Sequence, residues 1–342
     1  MLFVGLDVSV AETSVCVMDR DGGLVLEGKV RTDPVAIGLY LAKHAPAAER
    51  IGLEAGGSSS WLCRELRDQG FPVVHMEARH AHRALSMRIN KTDRNDARGL
   101  AELMRVGWFK PAHAKSVEAH RSRSLLLARQ RLINMRRDLE NQIRNIMKTT
   151  GTMLGSTAGR GFSARVRAAC DGSEILAAMC MPLLQVVTTI RDQIKAYDRL
   201  LLGMARRDET ARRLMTVPGV GALTSLAFMS AIDDPARFRR ASDVGAYLGL
   251  TPRRHQSGEM DWSGRISKLG DGLARTYLFE AACVLLGRIE RWSALKAWGV
   301  RLVRKVGSKK ARIAVARKIA VILHCIWVDG TEFQWAVAPA EA

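Results

Sequence analysis

Four carboxylates near the start of the chain stand where a carboxylate needs a reason. Asp7 interrupts the apolar run Leu2–Val8, and Glu54 closes a second one, Ile51-Gly52-Leu53-Glu54, ahead of Ala55-Gly56-Gly57. A carboxylate inside a strand that is to be buried must be paired or must hold a cation. Asp93 and Asp96 are three residues apart, on one face of a helix and in its first turn, where the helix dipole favours ionised acids. Two strands and one helix could bring these four hard oxygen donors around a pair of divalent cations such as Mg²⁺. Two such ions about 3.5–4 Å apart stabilise the attacking and leaving oxygens of an in-line displacement at phosphorus. Each acid alone has an ordinary explanation as a turn or cap residue, with Arg94 and Arg98 as partners for Asp93 and Asp96. All four together, on that order of elements, are harder to dismiss.

Other residues point to a polyanion. Arg129, Arg131, Arg136, Arg137 and Arg144 lie on one long helical pattern, and Arg304, Lys305, Lys309, Lys310 and Arg312 on another. Pro218-Gly219-Val220-Gly221 looks like the hairpin of a helix-hairpin-helix module, in which Gly219 and Gly221 would let backbone N–H groups approach phosphate. Ser257, in His255-Gln256-Ser257-Gly258, reads as part of a flexible polar loop with an accessible hydroxyl. Arg265 and Lys268 flank a segment suited to binding phosphate. The plain alternatives are solvated helix faces and an ordinary helix–helix turn.

The elements that must position these groups follow from the patterning. Residues 2–8, 13–18 and 24–30 are strand-like, with a hairpin signal at Asp21-Gly22-Gly23. Asp33-Pro34 starts a helix to about His44, residues 51–54 form a fourth strand, Ser59 or Ser60 caps a helix ending at Gly70, and Pro72–Met76 is a fifth strand. A further helix runs from Thr92 to about Val106. Three strands and then strand–helix alternation predict an α/β domain with a mixed sheet over residues 1–112. In residues 113–212, Leu125, Leu132, Leu139 and Ile146 recur every seven positions. Val187, Ile190, Ile194, Tyr197, Leu201 and Met204 recur by threes and fours. Joined by the glycine-rich stretch 151–172, they predict a basic antiparallel coiled-coil hairpin; two ordinary amphipathic helices are the alternative. Residues 213–330 predict a mainly helical last domain, so the fold class is α/β + α.

Composition agrees with this chemistry. Lys and Arg number 53 against 34 Asp and Glu, for a net charge of +19, which suits phosphate contact and counterion release. Hydrophobic residues make up 47% of the 342, enough to exclude wholesale disorder. A basic membrane-surface protein would need an amphipathic or lipid anchor, and neither is found; no apolar run looks long enough to span a bilayer and no leader is evident. Six scattered cysteines without a Cys-x-x-Cys pair read as reduced thiols of a cytoplasmic protein, with no zinc site.

Specific runs then carry a resemblance. Gly5-Leu6-Asp7-Val8-Ser9, Leu53-Glu54-Ala55 and Lys91-Thr92-Asp93-Arg94-Asn95-Asp96-Ala97 resemble the Asp-Glu-Asp-Asp signature of IS-110-type insertion-sequence transposases (with the IS-1111 group) and related Piv-type DNA invertases. Met215-Thr216-Val217-Pro218-Gly219-Val220-Gly221, Tyr247-Leu248-Gly249-Leu250-Thr251-Pro252, Gln256-Ser257-Gly258 and Ile266-Ser267-Lys268-Leu269-Gly270-Asp271 resemble that family's C-terminal domain. The segment after Glu54 departs slightly, since Gly57 and Ser58 follow Gly56.

The resemblance implies a RuvC-like (Holliday-junction-resolvase) version of the ribonuclease H fold, with Asp7, Glu54, Asp93 and Asp96 as catalytic metal ligands. It implies a serine nucleophile that forms a transient phosphoserine link to DNA: Ser257, with Ser263 and Ser267 as competitors. It also implies movement of a mobile element guided by a structured RNA; the predicted coiled coil, for its part, suggests a dimer or tetramer of this chain. Two rival functions remain at this level. One is a junction-specific endonuclease that uses water, and the other is a nucleic-acid-binding module without catalysis.

Overall fold

The computed structural model describes residues 1–86, 90–154 and 160–335. The chain forms two compact units, Met1–Lys115 and Ser116–Ala342.

The first unit is a mixed five-stranded sheet with helices. Strands β1 (Leu2–Val8), β2 (Glu12–Met18) and β3 (Leu24–Arg31) form an antiparallel meander; β4 (Ala48–Glu54) lies parallel to β1, and β5 (Val73–Met76) parallel to β4, in the order β3-β2-β1-β4-β5. The β2–β3 turn closes where the sequence puts it. Asp19 Oδ1 accepts from the N–H groups of Asp21 at 2.9 Å and Gly23 at 2.7 Å, and Gly22 sits at φ +90°. Helix α1 (Pro34–His44) starts as expected, with Asp33 accepting from Ala36 N–H at 2.9 Å. Helix α2 (Ser59–Asp68) corrects the expected cap: Ser58 holds the cap position and makes no side-chain capping bond. The Ser59 hydroxyl instead accepts from Gly56 N–H at 2.6 Å, donates to Gly56 O and lies 2.9 Å from His75 Nε2, pinning the loop that follows Glu54. Helix α3 (Ala78–Leu85), which the sequence reading did not separate, precedes α4 (Asp93–Val106).

Two glycines decide how α4 meets the sheet. Gly5 and Gly52 are register partners on β1 and β4. A Cβ on Gly5 would fall 2.1 Å from Ala97 O and 2.4 Å from Ala101 N of α4; one on Gly52 would fall 2.7 Å from Met104 Cγ. A glycine inside a strand commonly marks such an approach. The opposite sheet face carries Val4, Leu6, Ile51 and Leu53 into a core with Ile37, Leu41, Leu62 and Leu66 of α1 and α2.

The second unit is mainly helical. Helices α5 (Val117–Thr149) and α7 (Glu174–Arg207) are long and pack on one another, with α6 (Arg160–Cys170) between them in sequence. The stretch 151–172 is thus not a bare linker, since α6 buries Phe162 completely. The predicted α7 positions Val187, Ile190, Ile194 and Leu201 are buried. On α5 Leu126, Ile143 and Met147 are buried, and Leu125, Leu139 and Ile146 of the expected heptad are only partly so. The reason is that α5 meets more than α7: α9 residues pack with Leu126, and α6 residues with Ile143 and Met147, so its apolar face is wider than a two-helix seam. Glu140 lies within that face, paired with Arg191 of α7 at 2.8 Å. By length and composition α7 could cross a membrane, contrary to the expectation of no such run; here one of its sides packs on α5 and α6.

Beyond α8 (Glu209–Leu214) and α9 (Ala222–Ile232) come the short α10 (Asp243–Tyr247), strands β6 (Pro252–Ser257) and β7 (Met260–Ile266), and helices α11 (Gly272–Gly287), α12 (Ala294–Val306) and α13 (Ser308–Asp329). Residues from α8, α9, α11 and α13 share one core. The segments Tyr247–Thr251 and Ser267–Asp271 lie backbone against backbone at the base of the β6–β7 ribbon. A Cβ on Gly249 would sit 2.1 Å from Leu269 O, and one on Gly270 would sit 2.0 Å from Tyr247 O. Ser267 N–H donates to Thr251 O at 2.9 Å, and Arg275 Nη1 donates to Leu248 O and Leu269 O at 2.8 and 2.9 Å. These glycine-bearing runs therefore clamp the ribbon in place.

Candidate active site

Asp7 is two residues beyond Gly5, and Glu54 two beyond Gly52. Side chains two apart in a strand share a face. The close approach of α4 over the two glycines therefore sets both acids on its side of the sheet, at the ends of adjacent parallel strands. On α4, Asp93 and Asp96 precede Ala97 and Ala101, which are buried against β1. Asp7 senses the charge of the other three. Burial, then Asp96, Asp93 and Glu54, push the Asp7 carboxyl from its ordinary 3.8 up to about 6, with Lys91 opposing. Burial also raises Glu54, together with Asp96, against His82 and Lys91.

The ordinary explanations of Asp93 and Asp96, as caps or as partners of Arg94 and Arg98, are not what the geometry shows. The cap of α4 is Thr92, whose hydroxyl accepts from Asn95 N–H at 3.2 Å, so neither Asp93 nor Asp96 caps it. Arg94 and Arg98 turn to Glu27 on β3, with Arg98 Nη2 donating to Glu27 Oε2 at 3.0 Å. Hydrogen bonding from Arg98, joined by Arg94, holds Glu27 below the usual carboxylate range. Among the described residues, Asp7, Glu54, Asp93 and Asp96 have no ion-pair partner.

The donor set suits a hard divalent cation: four oxygen-bearing acids, unpaired, with Asp7 and Glu54 partly buried. Among the described residues, no three acidic, histidine or cysteine side chains are grouped tightly enough to coordinate an ion as they stand. Like charge from Asp96, Asp93 and Glu54 adds to burial in raising the Asp7 pKa, which a bound cation would relieve. His82 and Lys91 are the neighbours that sequence reasoning missed. Lys91 lies in the Lys-Thr-Asp-Arg-Asn-Asp run itself, and the repeated pattern Gly-Leu-acid at 5–7 and 52–54 would have signalled the glycine packing.

Ser257 corrects the expectation of a flexible loop: it is the last residue of β6, paired with Met260 across a tight ribbon, and it is exposed. Gly258 follows at φ +55° with open space around it. Among the described residues, no base is hydrogen-bonded to the Ser257 hydroxyl. Of its competitors, Ser263 is exposed on β7, whereas Ser267 is buried and its hydroxyl accepts from Leu269 N–H at 3.4 Å. His255 shares the strand face of Ser257 and stacks on Trp262 at 4.4 Å.

The basic residues divide. Arg129 is committed inside its own unit: it pairs with Asp198 at 2.5 Å, donates to Tyr277 at 3.2 Å, and leaves its side chain 13% exposed. Arg136 lies 3.6 Å from Glu140, and Arg144 stacks over Phe162 at 4.7 Å, so both are partly engaged. Arg137 and Lys309 are exposed. Gly219, at φ +89°, faces Ala281 O of α11, where a Cβ would come within 2.4 Å. It serves helix packing, while Gly221 begins α9 in open space. Arg265, Lys268 and Lys310 are brought to one groove.

Known proteins match both units. Residues 4–151 match a transposase family of the DEDD, IS110 type, and residues 211–297 match the family described as "Transposase IS116/IS110/IS902 family". The transposase for insertion sequence element IS1111A of Coxiella burnetii is 28% identical over 94% of this chain and 88% of its own length. A probable family 20 transposase of Pseudomonas aeruginosa is 26% identical over 94% and 96%. The pilin gene-inverting protein of Moraxella bovis is 32% identical over 34% of this chain and 36% of its own. The chain belongs to the IS116/IS110/IS902 family of transposases, enzymes that recombine DNA.

Proposed function

We propose that the protein moves an insertion element by breaking and rejoining DNA through a serine ester, with Asp7, Glu54, Asp93 and Asp96 holding two Mg²⁺ ions and Ser257 as the nucleophile. The observation that carries the reading is four carboxylates without ion-pair partners among the described residues, on two strands and the helix packed over Gly5 and Gly52, one of them raised to about 6. Bound cations would offset the charge that develops on the phosphoryl oxygens. The Ser257 oxygen attacks phosphorus, loses its proton, and forms a P–O bond as the bond to the leaving strand breaks. The leaving oxygen departs as a hydroxyl. A second strand's hydroxyl later attacks the same phosphorus and returns the serine, so the bond energy is kept and no outside energy source enters. The basic surface would grip DNA and a guide RNA encoded by the element, through residues such as Arg137 and Lys309. Assembly into a dimer or tetramer through a coiled coil of the long helices is supported by α7: from Ile175 to Ile190 it carries no charge, and Ile175, Met179, Met181 and Val186 are exposed. We assign the protein to the cytoplasm, at the nucleoid.

One observation favours the rival junction nuclease, in which water attacks: no base is bonded to Ser257 within its own unit among the described residues. Strand cleavage by the single variants Asp7→Asn, Glu54→Gln, Asp93→Asn and Asp96→Asn tests the shared part. Each keeps shape and removes a ligand charge, so each should lose cleavage by orders of magnitude while still binding DNA. Full cleavage by any two of them removes the cluster from the chemistry.

A further inference from the structure

The β6–β7 ribbon borders a groove that the proposed chemistry leaves unused. Its β7 strand forms one wall of a groove of about 1040 Å³ whose opposite wall is α13, with Trp298 of α12 at the floor. Five cations line it: Arg265 and Lys268 from the ribbon side, and Lys310, Arg317 and Lys318 from α13. No carboxylate lines it, and none of the five holds an ion pair among the described residues. Below that rim the lining is apolar, with Ile266, Trp298, Ile313 and Val321 all half-buried.

We infer that this groove holds an unpaired strand of DNA, with its phosphates on the cationic rim and its bases against the apolar floor. Duplex DNA satisfies the rim alone, because its base faces are stacked on one another and offer nothing to an apolar floor. Single strands expose both a charged backbone and flat apolar faces, and grooves for them combine cations with an aromatic platform, the place Trp298 takes here. The choice of DNA rests on the reading of Ser257 as nucleophile. Ser257 ends β6 on the same ribbon whose β7 strand, from Ser263 to Ile266, forms the groove wall. Ser257 lies at the turn of that ribbon and the groove wall nearer its base, so a strand opened at Ser257 during exchange has this groove further along the same ribbon. The groove thus becomes a holding site for the unpaired strand, which keeps it from re-annealing before rejoining.

Ala314→Trp on the full-length protein tests this, because it fills the floor between Lys310 and Lys318 without changing charge. Fluorescence anisotropy would compare labelled single-stranded DNA, the matching duplex and the matching RNA, with circular dichroism to verify folding. The inference expects a loss of at least about tenfold for single-stranded DNA and under about twofold for duplex. Lys310→Gln with Arg317→Gln should weaken the single strand as well, and an iodouracil-substituted single strand should photo-crosslink to the peptide carrying Trp298. Equal loss for duplex and single strand, no loss in Ala314→Trp, or loss confined to RNA overturns it. So does displacement of the single strand by anionic phospholipid vesicles, which would make the occupant a lipid. The two readings separate cleanly. Wild type without a serine adduct but with the Ala314→Trp defect keeps the groove and rejects the nucleophile; an adduct with normal Ala314→Trp binding does the reverse.

Discussion

Replacing Asp7 by Asn should make the metal-free protein more stable at neutral and alkaline pH, an unusual direction for a residue of a catalytic site. The Asp7 carboxyl moves from 3.8 up to about 6, first through burial and then through Asp96, Asp93 and Glu54. The folded value lies above the unfolded one, so the fold keeps a proton that the unfolded chain has already released. The associated stability is fully present below about pH 4, is lost as pH rises through about 6, and is absent beyond it. Full ionisation corresponds to about 3 kcal/mol, reduced to about 1–2 kcal/mol once partial contact with solvent is allowed for. Asn keeps the shape without the charge. The variant should gain about that amount at pH 8, a rise in melting midpoint on the order of 5 °C, and almost nothing near pH 4. Thermal unfolding in EDTA, followed by circular dichroism at both pH values, measures it. Excess Mg²⁺ at pH 8 should then reverse the ranking, since a cation at about a hundred times its Kd adds about 2.7 kcal/mol to the protein that binds it. A variant less stable than wild type in EDTA at pH 8 refutes the electrostatic argument. Equal stabilisation of both proteins by Mg²⁺ places the cation elsewhere.

Gly5→Ala should cost the first unit about 3 kcal/mol or more, because its methyl group meets the α4 backbone at Ala97 and Ala101; a melting midpoint within a degree of wild type would mean α4 does not pack there. Gly270→Ala, strained at φ +74° and blocked by Tyr247 O, should lower the stability of the second unit by about 2 kcal/mol or more, read by urea unfolding. In salt titrations of nucleic-acid binding, Arg137→Ala should reduce the log–log slope by about one. Arg129→Ala should instead destabilise the fold and leave the slope alone, given its contacts to Asp198 and Tyr277; the opposite pattern would reassign the two arginines.

The sequence makes the first unit legible because its signals are local. Asp33-Pro34 fixes the start of α1, the Asp19–Gly23 turn joins β2 to β3, and Thr92 caps the helix that carries Asp93 and Asp96. The placing of all four acids on two strands and one helix could be read from apolar runs broken by a charge. What stayed hidden is set by partners distant in sequence. The buried face of α5 is wider than the heptad stripe because α9 packs with Leu126 and α6 with Ile143 and Met147, which no heptad count on α5 alone reveals. Arg129 looked like a phosphate ligand until Asp198, sixty-nine residues on, met it. Ser257 looked like loop because β6 and β7 form an exposed ribbon with little of the hydrophobic alternation that marks a half-buried strand.

The central claim, that the carboxylate cluster serves a serine nucleophile, is tested most directly by trapping the ester. DNA nicked beside the cleavage site lets the leaving fragment diffuse away and strands the protein on the other end. With Mg²⁺, wild type should become covalently attached, and peptide mapping should place the nucleotide on Ser257. Ser257→Ala should give neither adduct nor cleavage, and Asp96→Asn should bind the DNA without forming the adduct. An adduct on Ser263 would keep the chemistry and reject the residue. Normal cleavage by Ser257→Ala with no adduct in wild type would contradict the account and leave water as the nucleophile.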